Sequence, residues 1–148
     1  MATESQRELL RTMGLALLDA VPEGWRRVDL FCRMTVDVED FVLTVLMADG
    51  TTADVPIPEV CFSATRDLRR VMYEPDEGTW FSMRFMLDPP AQMHVNFNFF
   101  WDPRWRSPLE SRNWVRDLEA FPRPDDRIPD WLRAELAGAR PQQQENGE

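Results

Sequence analysis

The sequence is short of the groups from which most catalytic sites are built. It has one histidine (His94), one tyrosine, two cysteines and no lysine, so all 17 basic residues are arginine. It contains no CxxC, HxH or HExxH spacing, which leaves no common zinc signature. Its six glycines form no phosphate-cradling loop. No apolar run approaches the length needed to cross a bilayer, so no membrane association is expected. The first residues, with Glu4, Arg7, Glu8 and Arg11, do not read as a signal peptide, and a cytoplasmic location is expected. Positive charge is also scarce. A net charge of −9 disfavours nucleic acid, whose phosphates would be repelled, and favours a basic partner protein.

What is present is a globular composition. The 148 residues are 43% hydrophobic and 29% charged, enough for one domain with a real core. Cys32 and Cys61 lie inside apolar patterns and are read as buried reduced thiols rather than a disulfide. Residues 3–20 read as a helix, with a capping box from Thr3 and Gln6 or from Ser5 and Glu8. Its apolar stripe is Leu9, Leu10, Met13, Leu17 and Leu18. From Trp25 to Val38 the even positions Val28, Leu30, Cys32, Met34 and Val36 are apolar, which predicts a strand. "FVLTVLM" (41–47) predicts a strand covered on both faces. Asp49-Gly50 predicts a two-residue hairpin turn into "TTADV".

Pro56 and Pro58 then open a helix over 59–73, with Val60, Cys61, Ala64, Leu68, Val71 and Met72 as its buried stripe. After the polar turn 74–78 come two strands, 79–87 and one from Met93, joined by 88–92. Ser107-Pro108-Leu109-Glu110 reads as a helix start, with Trp114, Val115 and Leu118 along that helix. A short helix after Pro129 carries Trp131, Leu132 and Leu136 and ends at Gly138. The expected organisation is one domain over 1–138 and a disordered tail over 139–148. The order α-β-β-β-α-β-β-α-α predicts an α+β fold, with a mainly antiparallel sheet of about five strands and helices packed on it.

The second of those late strands, "MHVNFNFFWDPRW" (93–105), alternates for seven residues and then runs into three more large aromatics. Pairing Leu87 with Met93 places Phe85 opposite Val95, Met83 opposite Phe97 and Phe81 opposite Phe99, all on a core face. The other face pairs Arg84 with Asn96, Ser82 with Asn98 and Trp80 with Phe100. That face is either a half-exposed sheet surface partly covered by the C-terminal helices or a recognition surface, since arginine and aromatics are enriched in interface hot spots.

Catalytic candidates are weak. His94 reads as a surface strand residue. The carboxylates of Glu74, Asp76 and Glu77, and of Asp125-Asp126, sit in proline-rich turns and read as solvated. No catalytic residue, metal or cofactor is assigned, and a small-molecule enzyme ranks third among the readings.

From residue 79 onward, "GTWFSMRFMLDPPAQMHVNFNF" followed by "SPLESRNWVRDLEAFPRPDDRIPDWL" resembles the YezG-type immunity (antitoxin) family of bacterial polymorphic toxin systems. "VPEGWRRVDL" after the first helix fits the same pattern, so the resemblance spans about residues 5 to 136. It implies a small non-enzymatic protein that binds a cognate toxin in the producing cell. The family commonly has acidic and tyrosine residues near the end of the second strand, where this chain has Asn96, Asn98, Phe100 and Trp101. The resemblance therefore assigns no binding residues.

Read from the residues themselves, the partner-binding candidates form three groups. These are the acidic turn Glu74, Asp76 and Glu77; the ribbon Arg84, Asn96 and Asn98; and the loop Phe100, Trp101, Asp102, Arg104 and Trp105. Within that loop, Phe100 and Trp101 are adjacent and must point to opposite faces of a strand, so one of them, with Arg104 and Trp105 beyond it, is the candidate anchor, and Trp105→Ala is expected to speed dissociation. The leading functional expectation is an immunity protein that occludes a basic toxin, such as a nuclease. A binding adaptor or scaffold without a toxin is the alternative.

Overall fold

The structure, a computed structural model, describes residues 3–137. The fold is α+β, with the expected element order and a five-stranded antiparallel sheet. Helix α1 (Glu4–Ala20) starts where its cap dictates. Thr3 Oγ1 accepts a hydrogen bond from Gln6 N (3.1 Å), and Gln6 Oε1 accepts one from Thr3 N (3.4 Å). Two orphan donors of the first turn are thereby satisfied, and of the two expected boxes the Thr3 one forms. Strands β1 (Trp25–Met34) and β2 (Glu39–Met47) are followed by the two-residue β3 (Thr52–Ala53) and by α2 (Glu59–Val71). Then come β4 (Ser82–Asp88), β5 (Gln92–Asn98), α3 (Ser111–Ala120), a 3-10 turn (Asp125–Arg127) and α4, helical over 130–137. The expected stop at Gly138 and the expected tail 139–148 lie outside the described residues.

The sheet order is β3-β2-β1-β4-β5, which makes β1 and β4 interior strands and β5 an edge. Contacts group the described chain into two compact units. The first draws on the chain up to Cys32, Phe41–Met72 and Met83–Asn96; the second on Arg33–Asp40, Tyr73–Ser82 and the chain from Phe97.

In the first unit α1 packs against α2. Met13 and Leu17 from α1, Leu68 from α2 and Phe85 from β4 are fully enclosed. Gly14 is buried on the face of α1 toward Met93 and Phe85, where a Cβ would meet Met93 Cε at 3.5 Å and Phe85 Cζ at 3.7 Å, ordinary contact distances. Cys32 and Cys61 are both buried and free. Desolvation pushes the Cys61 thiol up to about 11, so it stays protonated and unreactive at neutral pH.

The second unit is built around aromatic rings. Phe81, Trp114 and Trp131 meet edge to face, with centroids 6.4 Å (Phe81–Trp114), 4.9 Å (Phe81–Trp131) and 5.4 Å (Trp114–Trp131) apart. Leu132 completes the buried centre of this cluster. Arg123 lies 4.3 Å over the Phe81 ring, and its guanidinium also donates to Thr79 O (2.7 Å) and Arg127 O (3.0 Å). Gly78, at φ +90°, lies directly beneath that arginine, where any Cβ would collide with it.

Several expectations need correction. β1 ends at Met34 because Thr35 turns the chain, its N donating to Val38 O (2.7 Å), so Val36 is 43% exposed rather than core. β2 is not covered on both faces: only Val45 is fully buried, since the strand's outer neighbour is the two-residue β3. The hairpin loop has three residues, because Met47 N reaches Thr51 O (2.8 Å) and Gly50 takes φ +88°. In α2, Val60 and Val71 are exposed, and the enclosed stripe runs through Thr65 and Arg69 instead. Ser107 does not start a helix. α3 begins at Ser111, one turn later, with no side-chain cap, and Val115 on it is 37% exposed.

At the open end of the β4–β5 hairpin the expected neighbours Ser82 and Asn98 meet, Asn98 Nδ2 donating to Ser82 Oγ (3.2 Å), while Phe81 N donates to Asn98 O (2.7 Å) rather than pairing with Phe99. Its faces are buried unequally. Phe81, Met83, Phe85 and Leu87 are enclosed, whereas Val95, Phe97 and Phe99 are only half-buried and Met93 is exposed. Trp80 is fully buried rather than displayed beside Phe100. It precedes β4, so the strand's alternation does not extend to it, and its ring lies 5.9 Å from that of Phe97.

Candidate functional site

The three groups of sequence-predicted residues lie in different places. Glu74, Asp76 and Glu77 are exposed in the turn after α2, closed by Gly78 N donating to Glu74 O (2.7 Å). Arg84 and Asn96 are exposed on the hairpin. Arg84 is not idle there: it lies 4.9 Å over the Phe31 ring, with Nε 3.4 Å from Asp29 Oδ1. His94 is half-exposed, its Nε2 3.7 Å from Asp88 Oδ2. That carboxylate is already gripped by Arg27 at 2.9 and 3.1 Å, which holds it below the usual aspartate value.

Asn98 belongs with the third group, but as its brace. The side-chain Oδ1 accepts from Phe100 N (3.1 Å) and Trp101 N (2.7 Å), and Nδ2 donates to Trp101 O (2.7 Å). Asparagine is suited to this because its side chain mimics a backbone turn. The strand end is thereby folded into a tight turn that presents Phe100 and Trp101, 50% and 72% exposed. Their rings pack edge to face at 5.1 Å. A second brace comes from α4, where Trp131 Nε1 donates to Phe100 O (2.7 Å).

Beyond the pair, Asp102 Oδ1 accepts from Arg104 N (2.9 Å), which fixes Arg104 at φ +59°. Pro103 is buried, and its carbonyl receives Arg33 Nε (2.7 Å). Arg33 also pairs with Asp40 (2.9 Å), and Asp40 in turn binds Arg106 (3.0 Å). The loop is therefore pinned at Asn98, Phe100, Pro103 and Arg106, which leaves little entropy to be lost when it is covered.

Trp105 is half-buried, which makes Trp101 the better anchor of the two. Trp105 instead lines a cavity of about 190 Å³ together with Asp102, Arg104, Pro108, Leu109, Trp114 and Glu135. The indole nitrogens of Trp105 and Trp114 are shielded from solvent without a hydrogen-bond partner. Each such donor costs about 1–3 kcal/mol. Burial, reinforced by the neighbouring Asp102 carboxylate, pushes Glu135 above the usual glutamate value. Glu135 and the bracing role of Asn98 were not legible in the sequence: Glu135 sits in a short amphipathic helix with no motif around it. Trp114 was read there only as a packing residue.

Among the described residues, no group of three or more histidine, cysteine or carboxylate side chains is placed to hold a metal ion. No helix among them is long and apolar enough to cross a membrane. Compared with protein-family models and with curated proteins, the chain matches none.

Proposed function

We propose that the protein is an immunity protein that binds a cognate polymorphic toxin in the producing cell and neutralises it by occluding its active site. The observation that carries this reading is the braced, solvent-exposed pair Phe100–Trp101 on an acidic molecule. Large aromatics held rigidly in water are costly to the monomer and typical of interface anchors. The net charge of −9 supports a basic partner, such as a nuclease domain, because it would steer encounter with a cationic active-site surface. The resemblance to YezG-type immunity proteins supports the same class of partner.

The test is to look beside this gene for a large secreted protein with a variable C-terminal domain, and to express that domain with and without the protein. Survival and a co-purifying one-to-one complex are expected, and Phe100→Ser with Trp101→Ser should abolish both while the melting curve is retained. Unprotected cells would contradict the reading. A stable complex in which the partner stays active would favour an adaptor instead.

A further inference from the structure

Two carboxylates, Asp102 and Glu135, and the side chains of Trp105 and Trp114 line one cavity, and Asp102 directly follows the exposed Phe100–Trp101 pair. At about 190 Å³ the cavity is below the range of roughly 300–1,000 Å³ that holds whole small-molecule ligands, and suits a single side chain. Its walls are Trp105, Trp114, Leu109 and Pro108, and its charges are Asp102 and Glu135 against Arg104. An anion would add a third negative charge, whereas a cation would balance the excess one.

We propose that this cavity receives an arginine side chain of the bound partner, the guanidinium pairing with Asp102 and Glu135 and the stem lying along the indoles. This rests on the partner-binding reading above and names its central contact. Arginine fits better than lysine because its planar guanidinium both bonds carboxylates two at a time and stacks on aromatic faces. Glu135 is pushed up by burial first and by the Asp102 carboxylate second, and a bound cation would oppose both. Arg104, exposed at the cavity's edge, keeps a second basic residue from entering.

The experiment uses the full chain labelled with nitrogen-15. The indole resonances of Trp105 and Trp114 are assigned with Trp105→Phe and Trp114→Phe, and the probe is N-acetyl-arginine amide. Both resonances should shift saturably, with a dissociation constant in the roughly millimolar range expected of so small a ligand. Glu135→Gln and Asp102→Asn, which keep shape and hydrogen bonding, should each weaken the probe about ten-fold. N-acetyl-glutamine amide, with the same backbone and no charge, should produce no saturable shift. Absence of saturation, or equal binding of the glutamine probe, overturns the proposal. Because the probe is not the toxin, the two readings fail separately. A protein that protects cells but ignores the probe loses only the arginine pocket. One that binds the probe but no toxin keeps the pocket and loses the immunity reading.

Discussion

β4 and β5 carry the same alternating pattern and pair with each other, yet they are buried very differently. In β4 the apolar residues Met83, Phe85 and Leu87 are enclosed, while in β5 Met93 is 38% exposed and Phe97 half-buried. The difference is one of position: β4 has a strand on either side, and β5 has none beyond it. Period-two patterning says which side chains share a face, and the place of the strand in the sheet sets how deeply that face is covered. At its far end β5 leaves the sheet altogether, and Asn98 turns its last residues outward as the exposed aromatic pair. One strand of the hairpin serves the core and the other prepares a surface.

The contrast is broken most directly by truncating its two phenylalanines. Phe85→Ala should destabilise by about 3–5 kcal/mol, as expected of a fully enclosed phenylalanine. Phe97→Ala, on the half-buried edge, should cost about half of that, measured by urea unfolding. Equal losses would mean that β5 is covered as deeply as β4. Asn98→Ala comes next, at about 1–3 kcal/mol, since it removes a partly buried side chain from four hydrogen bonds. Its distinguishing sign is faster hydrogen exchange at Phe100 and Trp101, with β4 amides unchanged.

A smaller effect is expected with pH. The Arg27 and Arg116 guanidiniums hold Asp88 and Asp37 below the usual aspartate value of 3.8. Their contribution to stability is therefore complete above that value and lost as pH falls through the lowered folded values. Glu135 runs the other way: its raised value favours the fold while it is protonated, and that contribution is lost as pH rises through it. Thermal midpoints across the acid range should flatten slightly in Asp88→Asn, and Glu135→Gln should raise the midpoint at neutral pH. The smallest change of all is expected from Trp101→Ala, within about 0.5 kcal/mol of the parent, because its ring is mostly in water.

Much of the fold could be read from local rules. The Thr3–Gln6 box, the even-numbered burial of β1, the Ser82–Asn98 pairing and the element order all follow from capping, periodicity and turn residues. The misses at Val36, in β2 and at Val60, Val71 and Met93 share one cause: an apolar residue's burial depends on what the tertiary fold places over it. The aromatic loop was legible as a place where alternation stops. Its bracing by Asn98 is a local turn two and three residues long, which the alternation reading passed over; its bracing by Trp131 and its joining with Glu135 into one cavity depend on contacts between residues far apart in sequence, which no local pattern carries.

In the immunity reading proposed above, Trp101 anchors the partner while the acidic turn only guides it. Its most direct test is the kinetics of complex formation with the purified toxin domain at low and high salt. Trp101→Ala should raise the dissociation rate about 30-fold, the scale of a hot-spot residue, at both salt concentrations. Asp76→Asn with Glu77→Gln should slow association at low salt alone. Dissociation from Trp101→Ala at the parent rate would contradict the claim and place the interface away from the aromatic turn.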